Sequence, residues 1–222
     1  MAIVEEVAAL REQTLAAVAQ AADTAALEQV RVAVLGKSGT LTGYLRSMGQ
    51  VPKEERAQVG KTVNEVRVEV ETALAEQLGV DKVCVAAGNA DTDPHVLGEV
   101  GRIAGTRLRG FLQTGCTLAV TGGSTIREVA FAVPQGTPMN VMVVPARGGM
   151  GGALETQANT LACEIARRLG GHHRMMHLPD HLDEQALQEM RKLTEIDETL
   201  ALLERADVVL HGVGRADDIR LI

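Results

Sequence analysis

The hydrophobic period of this chain changes once, near Gln77-Leu78-Gly79-Val80-Asp81, and the change divides what it can fold into. Before it, apolar residues recur every three or four positions. The longest series is Val59, Val63, Val66, Val70, Leu74 and Leu78, introduced by Pro52 at a helix start. Such spacing predicts a long helix with a coiled-coil seam. Ile3, Val7, Leu10 and Val18 fall on one face of an earlier helix, and Leu27, Val30 and Val34 on one face of another. Asp23 and Thr24 are the caps expected between them. After the break Leu35-Gly36-Lys37-Ser38-Gly39, the residues Leu41, Leu45 and Met48 predict a short helix. Residues 1–79 therefore read as a helical hairpin arm.

After the change, short apolar runs alternate with helical stretches. The runs Lys82–Ala87, Cys116–Val120, Asn140–Val144, His173–Leu178 and Asp207–His211 read as strands. Helices are expected from Asp91-Thr92-Asp93-Pro94 to about Gly115, over 125–133, over 154–169, and in two pieces at 183–191 and 195–205. Repeated β-α units imply a parallel sheet with helices on both faces. The fold class is α/β: the hairpin arm (1–79), then a partial Rossmann-like parallel sheet (80–222).

Composition narrows the function. The chain has 222 residues, a net charge of −7 and only three aromatic residues, Tyr44, Phe111 and Phe131. An acidic chain so poor in aromatics does not suit base-stacking readers of single-stranded nucleic acid. Cys84, Cys116 and Cys163 are far apart and lie in apolar surroundings, where they read as small buried side chains in a reducing, cytoplasmic setting. No apolar run is long enough to cross a membrane, and the N-terminus does not read as a signal peptide. No metal or cofactor is expected. His172, His173 and His177 lack a carboxylate or thiolate partner in sequence, and His177 and His211 read as pocket-lining or structural. Met175-Met176 reads as core. Asp180 and Asp207 lack the paired acid or nucleophile that a general base would serve.

The stretch Thr121-Gly122-Gly123-Ser124-Thr125 leaves a buried strand and enters a helix. Its glycines permit a tight turn and close approach of a ligand. Thr125 and Glu128 have the spacing of a capping box. Amide groups at such a helix start attract anions, so a phosphate is the expected ligand. In an open parallel sheet the ligand crevice lies beyond the carboxyl ends of the strands. Gly88-Asn89-Ala90-Asp91, Arg147-Gly148-Gly149 and Gly212-Val213-Gly214-Arg215 leave strand ends in the same way. Ser124 and Thr125 offer hydroxyl and amide donors, Arg147 a planar charged fork, and Gln157 a neutral donor.

Two resemblances follow from ordered motifs. Val30-Arg31, Leu35-Gly36-Lys37-Ser38-Gly39, Leu41, Pro52-Lys53-Glu54-Glu55-Arg56, Gly60 and Asn64 resemble the N-terminal arm of the bacterial phenylalanyl-tRNA synthetase α subunit. That resemblance implies a coiled coil reaching toward tRNA, with Lys37, Arg46, Lys53, Arg56 and Lys61 as its phosphate contacts. The synthetase's catalytic domain has no counterpart, so aminoacylation is not expected. From about Leu78 onward, Asp91-Thr92-Asp93-Pro94, Thr121–Thr125, Val144–Gly149, Gln157-Ala158-Asn159-Thr160, His177-Leu178-Pro179-Asp180 and Ala206–Gly214 resemble the effector domain of SorC-type sugar-responsive transcriptional regulators. This implies a sheet related to sugar-phosphate isomerases and a non-catalytic sensor of a phosphosugar such as fructose-1,6-bisphosphate. Ser124, Thr125, Arg147 and Gln157 fall on its binding positions, and Gly122 and Gly123 of the glycine turn complete the expected phosphate site. It also implies homo-oligomers, and further strands beyond Ile222. The synthetase-like arm stands where that family carries its DNA-binding domain, so DNA binding is not expected. The chain reads as a chimera joined at Ala75–Gly79.

Overall fold

The computed structural model describes residues 2–88, 93–148, 153–179 and 182–213. The chain divides into two compact units, Met1–Glu99 and Val100–Ile222.

In the first unit, helices α1 (Ala2–Gln20), α2 (Thr24–Leu35), α3 (Thr40–Arg46) and α4 (Lys53–Leu78) build one apolar core. α1 packs along α4, bringing Val7 and Val18 into a cluster with Val59, Val63, Val66, Val70 and Leu74. The seam stops there, because Leu78 is half exposed. Asp23 caps α2, its carboxylate accepting the Ala26 N–H at 2.8 Å.

The expected first strand, 82–87, does not join the sheet. It is an extended segment of the first unit, with Val83 and Val85 packed on the helical core. At Val85 its backbone is satisfied by side chains of α4. The buried Glu71 carboxylate accepts the Val85 N–H at 2.9 Å, and Arg67 donates to the Val85 carbonyl at 2.5 Å. Arg67 also donates to Glu71 at 3.2 Å. Two side chains thus make the bonds that a neighbouring strand would make. As a result the first unit extends past the 79/80 junction expected from sequence and ends inside helix α5 (His95–Phe111).

In the second unit, β1 (Thr117–Val120), β2 (Met142–Pro145), β3 (His172–His173) and β4 (Val208–Leu210) form a parallel sheet of order β3-β2-β1-β4. The order reverses at β1, whose neighbours are β2 and β4. Helices α6 (Ser124–Ala132) and α7 (Ala158–Leu169) bury Ile126, Ala130, Leu161 and Ile165 with Leu118, Val120, Val141 and Val143, joined by Leu108 and Leu112 of α5. α8 (Glu184–Met190) and α9 (Thr194–Glu204) form a second cluster with Met176 and Leu178.

The expected strand over 173–178 shortens to two residues. Beyond Arg174 the chain leaves β2, and at Met176 the side chain of Asn159 takes over its backbone bonds. Asp207 pairs with the start of β1, its carboxylate accepting the Thr117 N–H at 2.8 Å. That bond lies at the amino end of β1 and gives Asp207 a structural task.

Candidate functional site

The site is built where β1 and β2 end. Thr121 extends the β1–β4 ladder, donating to the Leu210 carbonyl at 3.1 Å, and Ala146 donates to the Val120 carbonyl at 2.7 Å. The loops after both strands are thereby fixed side by side. Gly123 then donates to the Thr156 carbonyl at 2.9 Å, tying the start of α6 to the turn that precedes α7.

The two glycines have different tasks. A side chain on Gly122 would lie 2.6 Å from the Thr156 carbonyl oxygen and 3.3 Å from the Ala158 nitrogen, so the protein's own backbone occupies that space. Gly123 has φ 116°, a conformation that favours glycine, and a side chain there would meet nothing within 4 Å. The open approach is therefore at Gly123.

The expected capping box is not formed. Gly123 is the residue that caps α6, and it has no side chain with which to do so. Glu128 instead pairs with Arg127 at 2.6 Å. α7 likewise starts without a side-chain cap, at Gln157. Two helix starts thus meet through Gly123 and Thr156 with first-turn amides that their caps do not cover. Both macrodipoles place partial positive charge there.

Of the expected binding residues, Gly122, Gly123, Ser124, Thr125, Arg147 and Gln157 all lie at this end of the sheet. Ser124 and Arg147 are exposed, while Thr125 and Gln157 are half-buried. A side chain on Gly212 would come within 3.9 Å of Thr125, which places the start of the 212–215 loop here too. Gly214 and Arg215 lie outside the described residues, as do Gly149, Asp180 and the stretch 89–92. Gly88 follows the extended segment of the first unit, which is not a strand of the sheet.

Met176 is core, but Met175 is half exposed. Cys163 is exposed on α7, while Cys84 and Cys116 are half-buried. His177 lines a cavity of about 580 Å³ between the 174–177 segment and the α8–α9 pair. His211 stands 3.4 Å from the Gly212 carbonyl. Among the described residues no His, Cys, Asp or Glu group has the geometry of a metal site, and no helix is long and apolar enough to cross a membrane.

Four of the five expected arm cations are engaged locally, and Lys53 is exposed at the start of α4. Arg56 donates to the carbonyls of Gly49 and Val51, both at 2.8 Å, and Arg46 donates to the Lys37 carbonyl. Lys37 pairs with Asp93 at 2.7 Å, and Lys61 with Glu65 at 3.7 Å. The Lys37 ammonium, followed by the His95 amide, holds the Asp93 carboxyl below the usual carboxylate range.

With this geometry in place, likeness to known proteins can be assigned to parts of the chain. Residues 63–221 match the family model "Putative sugar-binding domain", and residues 22–80 match the class II aminoacyl-tRNA synthetase N-terminal domain. The chain belongs to the sugar-binding domain family of SorC-type regulators. The central glycolytic genes regulator of Priestia megaterium is 34% identical over 174 residues, which is 78% of this chain and 51% of that protein. A SorC family regulator from Enterococcus faecalis superposes with a TM-score of 0.58 at 31% identity, covering 67% of this chain and 61% of that one. The phenylalanine–tRNA ligase α subunit of Moorella thermoacetica is 50% identical over 74 residues, 33% of this chain and 22% of that protein. The chain thus spans about half the length of the regulators it matches. Its sugar-binding family and its synthetase-like arm agree with the two resemblances read from sequence.

Asn159, buried at the start of α7 and bonded to the Met176 backbone, is not singled out by the sequence. It was visible only as part of a motif. A polar residue on the same helix face as Ala162 and Ile165 was the available signal, because buried amides need partners.

Proposed function

We propose that the second unit is a non-catalytic sensor of a phosphorylated sugar of the fructose-1,6-bisphosphate type. One phosphate sits against the uncapped start of α6 at Gly123, Ser124 and Thr125, with Arg147 and Gln157 completing its shell. The observation that carries this reading is the meeting of two uncapped helix starts beside an open, glycine-lined approach, within a sugar-binding family. Amide donors and helix dipoles together favour a dianion. Membership of a regulator family supports a binding role over a catalytic one. Fructose-1,6-bisphosphate at millimolar concentration is expected to raise the melting temperature, and Arg147→Ala to weaken binding about tenfold or more, as loss of a charge-assisted contact does. A folded protein with no shift at millimolar ligand would sink the reading.

A second reading, favoured by the match over residues 22–80, gives the arm a tRNA-binding role through Lys37, Arg46, Lys53, Arg56 and Lys61. Residues 1–79 carry 8 Lys and Arg against 11 Asp and Glu, so any contact depends on local clustering. Retention of tRNA-Phe that weakens steeply with salt is the expected result. Equal retention of any RNA, or none at low salt, removes it.

A further inference from the structure

Asn159 is the second residue of α7 and is 9% exposed. Its side-chain oxygen accepts the Met176 N–H at 2.8 Å, and its amide donates to the Met176 carbonyl at 3.0 Å. One side chain therefore satisfies both backbone groups of a residue that is itself buried. The segment it holds has just left the sheet, since pairing with β2 ends as Arg174 donates to the Val143 carbonyl. Two residues beyond Met176, the Leu178 carbonyl comes up against Gly148. A side chain at 148 would lie 2.1 Å from that oxygen and 3.2 Å from the Pro179 oxygen. Gly148 follows Arg147. On its other side, the α7 start that bears Asn159 is tied through Thr156 to Gly123.

We propose that Asn159 is a positioning residue for the sugar-phosphate site: by holding Met176 it sets where the Leu178–Gly148 contact, and with it Arg147, lies relative to the starts of α6 and α7. This inference rests on the reading of the site as a sugar-phosphate pocket. Asn159 touches no ligand in this scheme. It braces the wall that faces the phosphate loop, so its loss separates the two sides of the pocket without removing a donor.

The test uses the full chain as wild type, Asn159→Leu, Asn159→Asp and the core control Val133→Ala. The control removes buried volume on the α6–α7 side of the sheet without touching the Met176 clamp. Two readouts are taken: amide hydrogen exchange, and binding of fructose-1,6-bisphosphate and of inorganic phosphate. In Asn159→Leu, exchange at 174–178 and 146–148 is expected to quicken about tenfold, from two buried groups left unpaired, and in Val133→Ala to stay near wild type there. Bisphosphate affinity is expected to fall about tenfold while inorganic phosphate, held by the α6 start, changes less than about twofold. If Asn159→Leu does not fold, Asn159→Asp decides by exchange alone, since it keeps the acceptor for Met176 N–H and loses the donor. Equal exchange in the Asn159 variant and the control overturns the proposal, as does faster exchange with unchanged bisphosphate affinity. Absence of binding by the wild type overturns the sugar-phosphate reading and with it the ligand role of Asn159, while the exchange comparison still decides whether Asn159 positions the loop.

Discussion

At the scale of single residues, Glu71 and Asn159 solve one problem in two places. Each lies on a helix and completes the hydrogen bonding of an extended segment that has no neighbouring strand at that point. Glu71 is 8% exposed and accepts from both Val85 and Arg67. Glu71→Ala leaves the Val85 amide without its acceptor and Arg67 without its carboxylate. The expected loss is about 1–3 kcal/mol in urea unfolding, with faster amide exchange at Val85. Glu71→Gln keeps an acceptor for Val85 and is expected to recover part of the loss. The pattern around 82–87 was legible as a strand because Val83 and Val85 alternate. What could not be read was the partner, since a carboxylate on α4 and a carbonyl on a strand serve the Val85 amide equally.

At the scale of elements, α4 and α6 show how far periodicity reaches. The α4 seam was legible as far as Leu74 and failed at Leu78, where the period continues but the side chain stays half exposed. Val63→Ala, at a site with no exposure, is expected to cost about 2 kcal/mol. Leu78→Ala is expected to stay within about 0.5 kcal/mol. Equal losses in chemical denaturation would contradict this end-point for the seam. For α6, the expected helix start was right to within a residue, but its capping box was not. Glu128 turned to Arg127, and the cap fell to Gly123, which has no side chain to offer. That difference strengthens the anion reading, because a capped start would already have used an amide that a phosphate needs.

At the scale of the whole molecule, the first-unit core and the core between the sheet and α5–α7 share no residue. Calorimetry is expected to resolve this. Val63→Ala should lower the temperature of one transition, and Leu161→Ala, costing about 2–5 kcal/mol, that of the other. A single transition moved equally by both variants would show that the units unfold together. The two family matches overlap over residues 63–80, which take in the later part of α4 and the two residues after it. One continuous helix therefore belongs in part to both likenesses.

The sequence by itself determined the helical arm, the alternation of strands and helices after it, and the glycine turn at 122–123. All three depend on local properties: the period of apolar residues and the backbone freedom of glycine. Only the tertiary structure decided that 82–87 lies on α4, that the strand after α7 stops at His173, and that Gly122 makes room for the Thr156 carbonyl while Gly123 stays open. Those outcomes depend on which distant group satisfies a backbone amide or fills a space. Several chemically equivalent groups compete for each, and chain geometry chooses among them.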